Sequence, residues 1–205
     1  MRTCALLLAP ALLAQAQVAP VETPLSAAER AEALAVLAQA KEAFLKATEG
    51  LSPAQRAWQP GPDRWSVDQC AEHIAVTGTL ISGMITGKLL PGPRTPAQRA
   101  EIKLVDGKLL PLILDRSHKA KAPEAIAPKA RFKAPGEAEA AFAKSHAVLE
   151  EAVRTSNADW RARIAPHPFF GALDAYQWTL LTAGHTLRHV AQIEEVKHSE
   201  GFPEK

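Results

Sequence analysis

A chain of 205 residues is long enough for one domain with a hydrophobic core, and its 47% hydrophobic and 22% charged residues are typical of a globular protein. The net charge of +2 offers no argument for a nucleic-acid partner. A single tyrosine, together with abundant alanine, favours helix over sheet.

The first sixteen residues have the features of a cleavable export signal. Arg2 gives a positive start, an apolar run follows over residues 4–13, and Ala14-Gln15-Ala16 has the small-x-small pattern that a signal peptidase cuts. The apolar run is too short to span a bilayer. We therefore expect cleavage after residue 16, a single domain over residues 17–205, no membrane span, and an exported protein that is periplasmic or extracellular.

Four stretches of the remaining chain have helical periodicity, and proline-containing connections separate them. Capping boxes are predicted where a serine or aspartate precedes a glutamate or glutamine by three residues, at Ser26, Ser66 and Asp174. The predicted helices cover residues 27–49, 66–87, 136–156 and 174–197. The sequence therefore predicts an all-α chain built around one four-helix bundle, with no sheet.

The longest connection, residues 88–135, joins the second and third predicted helices. Connections of this length usually contain some structure, and we expect short helices near 95–103 and 106–117. Basic side chains in this connection can attract an anion, although a solvated loop is the favoured interpretation: Arg116, Lys119, Lys121, Lys129, Arg131 and Lys133. In the preceding connection, Trp58 and Trp65 are interpreted as large rings that close one end of the bundle.

The last predicted helix carries the pattern of a metal site. His185 and His189 are four residues apart, so both imidazoles lie on the same helical face one turn apart. This face is predicted to turn toward the core, because large residues recur along it at helical spacing: Trp178, Leu181, His185, His189, Gln192 and Val196. Two inward imidazoles either share a metal ion or need other hydrogen-bond partners. The pair supplies two of the three or four ligands that a metal site needs.

The third candidate ligand is His73, which lies beside the buried stripe of the second predicted helix and can reach the bundle interior. Cys70, three residues earlier, can also reach an ion, but a lone cysteine on an apolar stripe is usually part of the core. Glu72 lies on a different face from His73. Gln192, three residues after His189, is placed to hold a ligand or a water molecule by a hydrogen bond.

Two other histidines are left out of the predicted site. His146 falls off the core face of the third predicted helix. His167 lies between two prolines and is interpreted as a structural loop residue, with a place on the rim of a pocket as the alternative.

These features together resemble the DinB-like superfamily. Trp65-Ser66 opens the second predicted helix with His73 seven residues after the serine, the last helix carries His-x-x-x-His-x-x-Gln, and residues 167–173 resemble the segment before the family's last helix. The resemblance extends over about residues 25–200. It implies a four-helix bundle with a long connection between helices two and three, and a divalent metal held by His73, His185 and His189.

Three histidines on a divalent ion leave a coordination position for water, which becomes a nucleophile near neutral pH. Imidazole ligands suit zinc or nickel. The activities that the resemblance implies include thiol-dependent transfer and isomerisation as well as metal-dependent hydrolysis. An exported protein would not meet the low-molecular-weight thiols of the reducing cytoplasm, and this argues against a thiol-dependent reaction. The HExxH pattern of metalloproteases is absent, because residue 186 is threonine.

Two functions remain open. The first is an exported metal-dependent hydrolase or transferase that acts on a small molecule. The second is a non-catalytic metal-binding or interaction module. The sequence also leaves the substrate unassigned and a homodimer open.

Overall fold

The structure, a computed structural model, describes residues 21–117 and 121–204. The predicted export signal lies outside these residues. Four long helices dominate: α1 (Ala27–Thr48), α3 (Val67–Met84), α5 (Glu137–Thr155) and α6 (Ala175–Lys197). Two shorter helices, α2 (Pro53–Ala57) and α4 (Asp106–Leu114), lie in the connections. The remaining elements are a π-helical turn, two 3-10 turns and two short strands: Ile85–Leu89, Pro96–Glu101, Trp160–Ala162, β1 (Ile164–His167) and β2 (Gly171–Asp174).

The four long helices form one bundle, which confirms the predicted fold. Helix α1 packs against α5 and α6, and α3 packs against the same two helices. Helices α1 and α3 therefore lie diagonally across the bundle although they are consecutive long helices. This arrangement places α3 directly beside α6, the two helices on which the candidate metal ligands lie.

The core is made mainly of the stripes that the periodicity predicts. The stripe predicted for the second helix is buried at Val67, Cys70, Ile74, Thr77 and Ile81. Of the two alternatives for its last member, Ile85 in the π-helical turn is buried and Met84 is half-buried. The core face of α1 is rotated slightly from the stripe that its periodicity predicts, which is Leu34, Leu37, Lys41, Phe44, Thr48 and Leu51. Leu37, Phe44 and Thr48 are buried as predicted, and the alanines Ala33, Ala40 and Ala47 are buried beside them. Phe44 of α1 meets Phe142 of α5 edge to face, with 4.9 Å between ring centroids.

The predicted helix starts are confirmed by reciprocal hydrogen bonds. Ser26, Ser66 and Asp174 each accept a hydrogen bond from the backbone three residues later and have their own amide bonded by the side chain there. Gly50 has φ +67°, as expected for the glycine that closes α1. A further capping box at Ser52 begins α2, a short helix that the sequence analysis did not predict.

The prediction that the chain contains no sheet is wrong. Strands β1 and β2 pair as an antiparallel hairpin, in register from Ile164 opposite Asp174 to His167 opposite Gly171. We expected a loop here because proline has no backbone N–H to donate to a neighbouring strand. An edge strand tolerates proline, since part of its backbone N–H groups face away from the sheet. His167, predicted to be a loop residue, is the last residue of β1.

The long connection is more ordered than a solvated loop. Its two predicted short helices appear as the 3-10 turn Pro96–Glu101 and as α4, which ends at Leu114 and packs against α6. Gly184 of α6 makes this approach close, because a Cβ there would lie 2.9 Å from Leu110 Cδ2. No helix within the described segments is both long and apolar enough to cross a membrane.

One arginine joins the starts of three helices. Arg161, in the second 3-10 turn, donates to Glu29 of α1 (2.8 Å), to Asp106 of α4 (2.7 Å) and to Asp174 at the start of α6 (3.0 Å). Its guanidinium also lies 4.1 Å from the centre of the Tyr176 ring. Helix ends that are far apart in sequence are therefore connected by one charged group.

Candidate metal centre

Three histidines meet where α3 packs against α6. His73 of α3 and His185 and His189 of α6 offer ligand atoms that all lie within 4.8 Å of one another. The Nε2 atoms of His73 and His185 are 3.1 Å apart. His73 is 2% exposed, and the two α6 histidines are partly buried. The residues that the sequence analysis selected are thus brought to one place by the packing of two helices.

Hydrogen bonds determine the tautomers of two of these rings. His73 Nδ1 lies 2.8 Å from the carbonyl oxygen of Ile126, which can only accept, so Nδ1 carries the proton. His189 Nδ1 lies 2.9 Å from Gln192 Oε1, and with the side-chain amide in this orientation Nδ1 is the donor. In both rings the lone pair then lies on Nε2, which is the atom that could bind an ion; at His73 this atom faces Nε2 of His185, 3.1 Å away. A carbonyl or amide oxygen on the far nitrogen is the usual support of a metal-binding imidazole.

Burial keeps all three imidazoles neutral. It lowers the pKa of His185 well below its ordinary value, and the neighbouring His189 and His73 lower it further. Burial and the nearby His73 bring the pKa of His189 to about 3, against the opposing effect of its hydrogen bond to Gln192. The pKa of His73 is lowered by burial and partly restored by the bond to Ile126. Neutral imidazole is the form that binds a metal ion.

We expect the metal-free protein to lose stability as the pH falls from about 6.5 toward about 3. In this range His189 is neutral in the folded chain and protonated in the unfolded chain, so acid favours unfolding. The loss is up to about 1.4 kcal/mol per pH unit for each such group. Urea denaturation in the presence of a chelator, repeated across the pH range, measures it.

The control for this experiment is His198, the residue that follows the last residue of α6. His189→Gln should flatten the dependence on pH, whereas His198→Gln, whose side chain is 79% exposed, should leave the parent slope unchanged. A parent protein that is no more sensitive to acid than His189→Gln would contradict the prediction.

A buried carboxylate holds the loop that orients His73. Glu72, 4% exposed, accepts hydrogen bonds from the amides of Lys129 (2.8 Å) and Arg131 (3.2 Å), and from the Arg131 guanidinium (2.6 Å). Arg131 in turn donates to the carbonyls of Ala125 and Ala127, on either side of Ile126. Glu72 is therefore turned away from the histidines, as its helical position indicated. Through Arg131 it holds in place the Ile126 carbonyl, which accepts the hydrogen bond from His73 Nδ1.

The prediction of a solvated basic loop is wrong for two of its arginines. Arg131 is bound to Glu72, and Arg116 pairs with Glu195 of α6 at 2.6 Å. The two residues of each pair are far apart in the sequence, so no local sequence pattern predicts that they meet. A backbone carbonyl such as that of Ile126 gives no signal at all, because every residue has one.

A cavity of about 530 Å³ opens next to the three histidines. Most of its wall is aromatic or aliphatic, including Trp65, Phe169, Phe170, Trp178, Leu181 and Ile126. Trp65 does more than close the bundle end, because its ring stacks on His189 with centroids 5.9 Å apart and lies 4.9 Å from His73. Trp58 packs against Phe202 at the bundle end instead, as predicted.

The other candidate residues take no part in the cluster. Cys70 is fully buried, and burial raises the pKa of its thiol to about 12, so it stays protonated within the core. His146 was predicted to lie off the core face of its helix but is buried at 2% exposure, with Nδ1 3.3 Å from Glu150. His167 lines the cavity, which corresponds to the alternative that placed it on the rim.

Fold and cluster together define a four-helix bundle with three histidines that could hold one metal ion. Residues 36–193 match the DinB superfamily, and the chain belongs to this family. The uncharacterized protein YuaE of Bacillus subtilis (strain 168) is 25% identical over 148 residues, which cover 72% of this chain and 86% of YuaE.

Two solved structures share the fold. The four-helix bundle protein TT2238 has a TM-score of 0.50 at 22% identity, over 81% of this chain and 98% of that one. YfiT from Bacillus subtilis, described as a probable metal-dependent hydrolase with an unusual four-helix bundle topology, has a TM-score of 0.54 at 19% identity. That match covers 91% of this chain and 95% of YfiT.

Proposed function

We propose that this protein is an exported metal-dependent hydrolase that holds one divalent ion, zinc or nickel, through His73, His185 and His189. Its substrate is a small molecule bound in the cavity beside these residues. Gln192 holds His189 in position through the hydrogen bond between their side chains. The observation that carries the proposal is the convergence of the three imidazoles, whose ligand atoms lie within 4.8 Å of one another, with the Ile126 carbonyl bonded to Nδ1 of His73.

The distances fit an ion with imidazole ligands. Nitrogens bound at about 2.0–2.1 Å to one ion lie at most about 4.2 Å apart. His73 and His185 already meet this limit at 3.1 Å, and the set as a whole lies within 4.8 Å. Side-chain movements of under about 1 Å bring all three nitrogens into range. Within the described residues, no carboxylate or thiol belongs to the cluster, so three protein ligands leave an open coordination position.

Such an ion supplies a Lewis acid and lowers the pKa of a bound water to about 7, which is the chemistry of hydrolysis. The protein's own residues would bind the ion, burial keeps the imidazoles neutral, and the Trp65 ring covers His73 and His189 on one side. Thr186 stands where a metalloprotease has its glutamate base, and its hydroxyl donates to the Thr182 carbonyl inside α6. A small-molecule substrate therefore fits better than a peptide.

The description of YfiT as a probable metal-dependent hydrolase supports the same reaction class. Elemental analysis of the purified protein, followed by a hydrolysis screen of metal-loaded and chelator-treated samples, tests the proposal. We expect about one equivalent of zinc or nickel and hydrolysis that the chelator abolishes. Metal binding without turnover would favour the non-catalytic module, and a protein that binds no divalent ion would overturn the proposal.

Export is part of the proposal and rests on residues 1–16 alone. In cells that secrete the protein, we expect a mature chain beginning at Gln17, measured by mass spectrometry. Ala16→Arg should block cleavage, because the peptidase requires a small residue there, and the conservative change Ala16→Ser should permit it. An intact amino terminus in the cytoplasmic fraction of the parent would refute export.

A further inference from the structure

The cavity beside the three histidines has an apolar mouth. Leu80 of α3, Leu112 of α4 and Phe169 at the hairpin tip all line it, and they are 58%, 49% and 68% exposed. They come from three separate elements, and they are among the most exposed large apolar side chains in the described part of the chain. Apolar surface gathered at one concave place indicates an apolar occupant.

Thr77, Asp115 and Lys121 are polar members of the wall, and three further polar side chains of the wall are hydrogen-bonded to the protein itself. His167 Nδ1 accepts hydrogen bonds from the amides of Phe169 (3.1 Å) and Phe170 (3.2 Å), which holds the hairpin tip over the cavity. Trp178 Nε1 donates to the Ala165 carbonyl at 3.2 Å. Arg188 donates to the carbonyls of Ile113 and Asp115 at the end of α4. These three residues therefore present mainly ring faces and carbon atoms to a ligand.

The aromatic rings inside the cavity and the apolar side chains of its mouth form one apolar surface, which we call the slot. His167 stacks on Phe170 with 4.8 Å between centroids and 25° between planes, and it lies 5.2 Å from Trp178. A second pair of stacked rings in the lining is Trp65 on His189, with 24° between their planes. Aromatic walls of this kind bind a planar or branched apolar group through its faces and edges.

From these observations we infer that the substrate carries an uncharged aromatic or branched aliphatic group directly beside the bond to be hydrolysed. The metal-binding group of the substrate provides its polar anchor, and the slot recognises its apolar body. Sugars and nucleotides are disfavoured, because most of the lining surface is apolar and burial against it would separate their many hydroxyl and phosphate groups from water. This inference rests on the proposed function and names the substrate class of the same site.

Two hydroxamic acids with the same metal-binding head test it. Benzohydroxamate carries a phenyl ring where acetohydroxamate carries a methyl group, so the ratio of their affinities for the zinc-loaded protein reports the slot. We expect benzohydroxamate to bind at least ~10-fold more tightly, as burial of a ring predicts. Intrinsic tryptophan fluorescence, to which Trp65 and Trp178 of the cavity contribute, gives the titration signal, and isothermal calorimetry provides an independent one.

Variants locate the preference in the slot. The double variant Leu80→Ala with Phe169→Ala should reduce the ratio several-fold while zinc and acetohydroxamate bind as before. Leu45→Ala is the matched control, because Leu45 is also an exposed helical leucine, at 37%, but lies on α1 and does not line the cavity. Since these side chains are exposed, all variants should keep the parent melting temperature.

The outcomes separate the two proposals. Equal affinities for the two hydroxamates, or a preference that the double variant leaves intact, would overturn the apolar slot and leave the metal-dependent function standing. If zinc does not bind to the three histidines, neither hydroxamate binds tightly, and the proposed function fails together with this inference.

Discussion

His185→Ala should lower the affinity of the protein for zinc by more than about 100-fold. Loss of a residue that only supports a ligand costs about 10- to 100-fold, and His185 is proposed as a ligand itself. Its Nε2 lies 3.1 Å from that of His73, so its loss leaves two ligands at most. Competition with a chromogenic chelator measures the dissociation constant, and hydrolysis by the same samples should fall in parallel.

The control for this prediction is another histidine of the same cavity. His167→Gln retains a side-chain hydrogen-bond acceptor for the hairpin amides and should bind zinc as the parent does, because His167 lies outside the cluster. Circular dichroism should show that both variants keep their helices. Zinc affinity within threefold of the parent for His185→Ala would exclude it as a ligand.

Arg161→Ala should destabilise the fold by about 3–5 kcal/mol, the cost of leaving a buried charge without its partner. The arginine side chain is 17% exposed and the Asp174 carboxylate only 3%. Burial raises the pKa of Asp174, and Arg161 opposes this effect, so removal of the arginine leaves Asp174 beside Asp106 with no cation between them. For a chain of this length the melting temperature should fall by roughly 6–20 °C.

A surface arginine provides the comparison. Arg154 is 49% exposed and pairs with Glu150 and Glu151 within α5, so Arg154→Ala should cost less than about 1 kcal/mol. Arg161→Lys keeps the charge but loses the planar fork, and it should recover part of the stability. Urea denaturation at neutral pH gives all three values. Equal losses for the Arg161→Ala and Arg154→Ala variants would show that the network adds nothing.

Both predictions concern contacts between distant parts of the chain. Arg161 joins α1, α4 and α6, and the centre joins α3 to α6. Helix α6 is common to the two networks, with Asp174 at its first turn and His189 nearer its end. The early part of α6, from Ala175 to Gly184, is buried on all sides by its neighbours. We expect α6 to be the last helix to exchange its amide hydrogens, because its exposure requires global unfolding.

Local rules made much of the fold readable from the sequence. A capping box involves residues three apart, so Ser26, Ser66 and Asp174 marked three helix starts correctly. Helical periodicity likewise predicted the buried stripe of α3. The spacing of His185 and His189 placed them on one face, since four residues make about one turn.

Capping and periodicity rules do not predict contacts between residues that are far apart in the sequence. The spacing of the stripes did not reveal that α1 and α3 lie diagonally, that His146 turns into the core, or that β1 and β2 pair. Proline at 166 even argued for a loop. The identity of the partner helix depends on how several helices fit together, and a periodic pattern within one helix does not contain that information.

For the candidate centre, the sequence by itself determined which side chains can bind a metal and that two of them share a helical face. Only the tertiary structure decided that His73 meets them, that the Ile126 carbonyl sets its tautomer, and that Glu72 holds this carbonyl through Arg131, 59 residues away in the chain. The physical reason is that residue type and helical period are local properties. The free energy of a buried hydrogen bond depends instead on which atoms the fold brings within about 3 Å of each other.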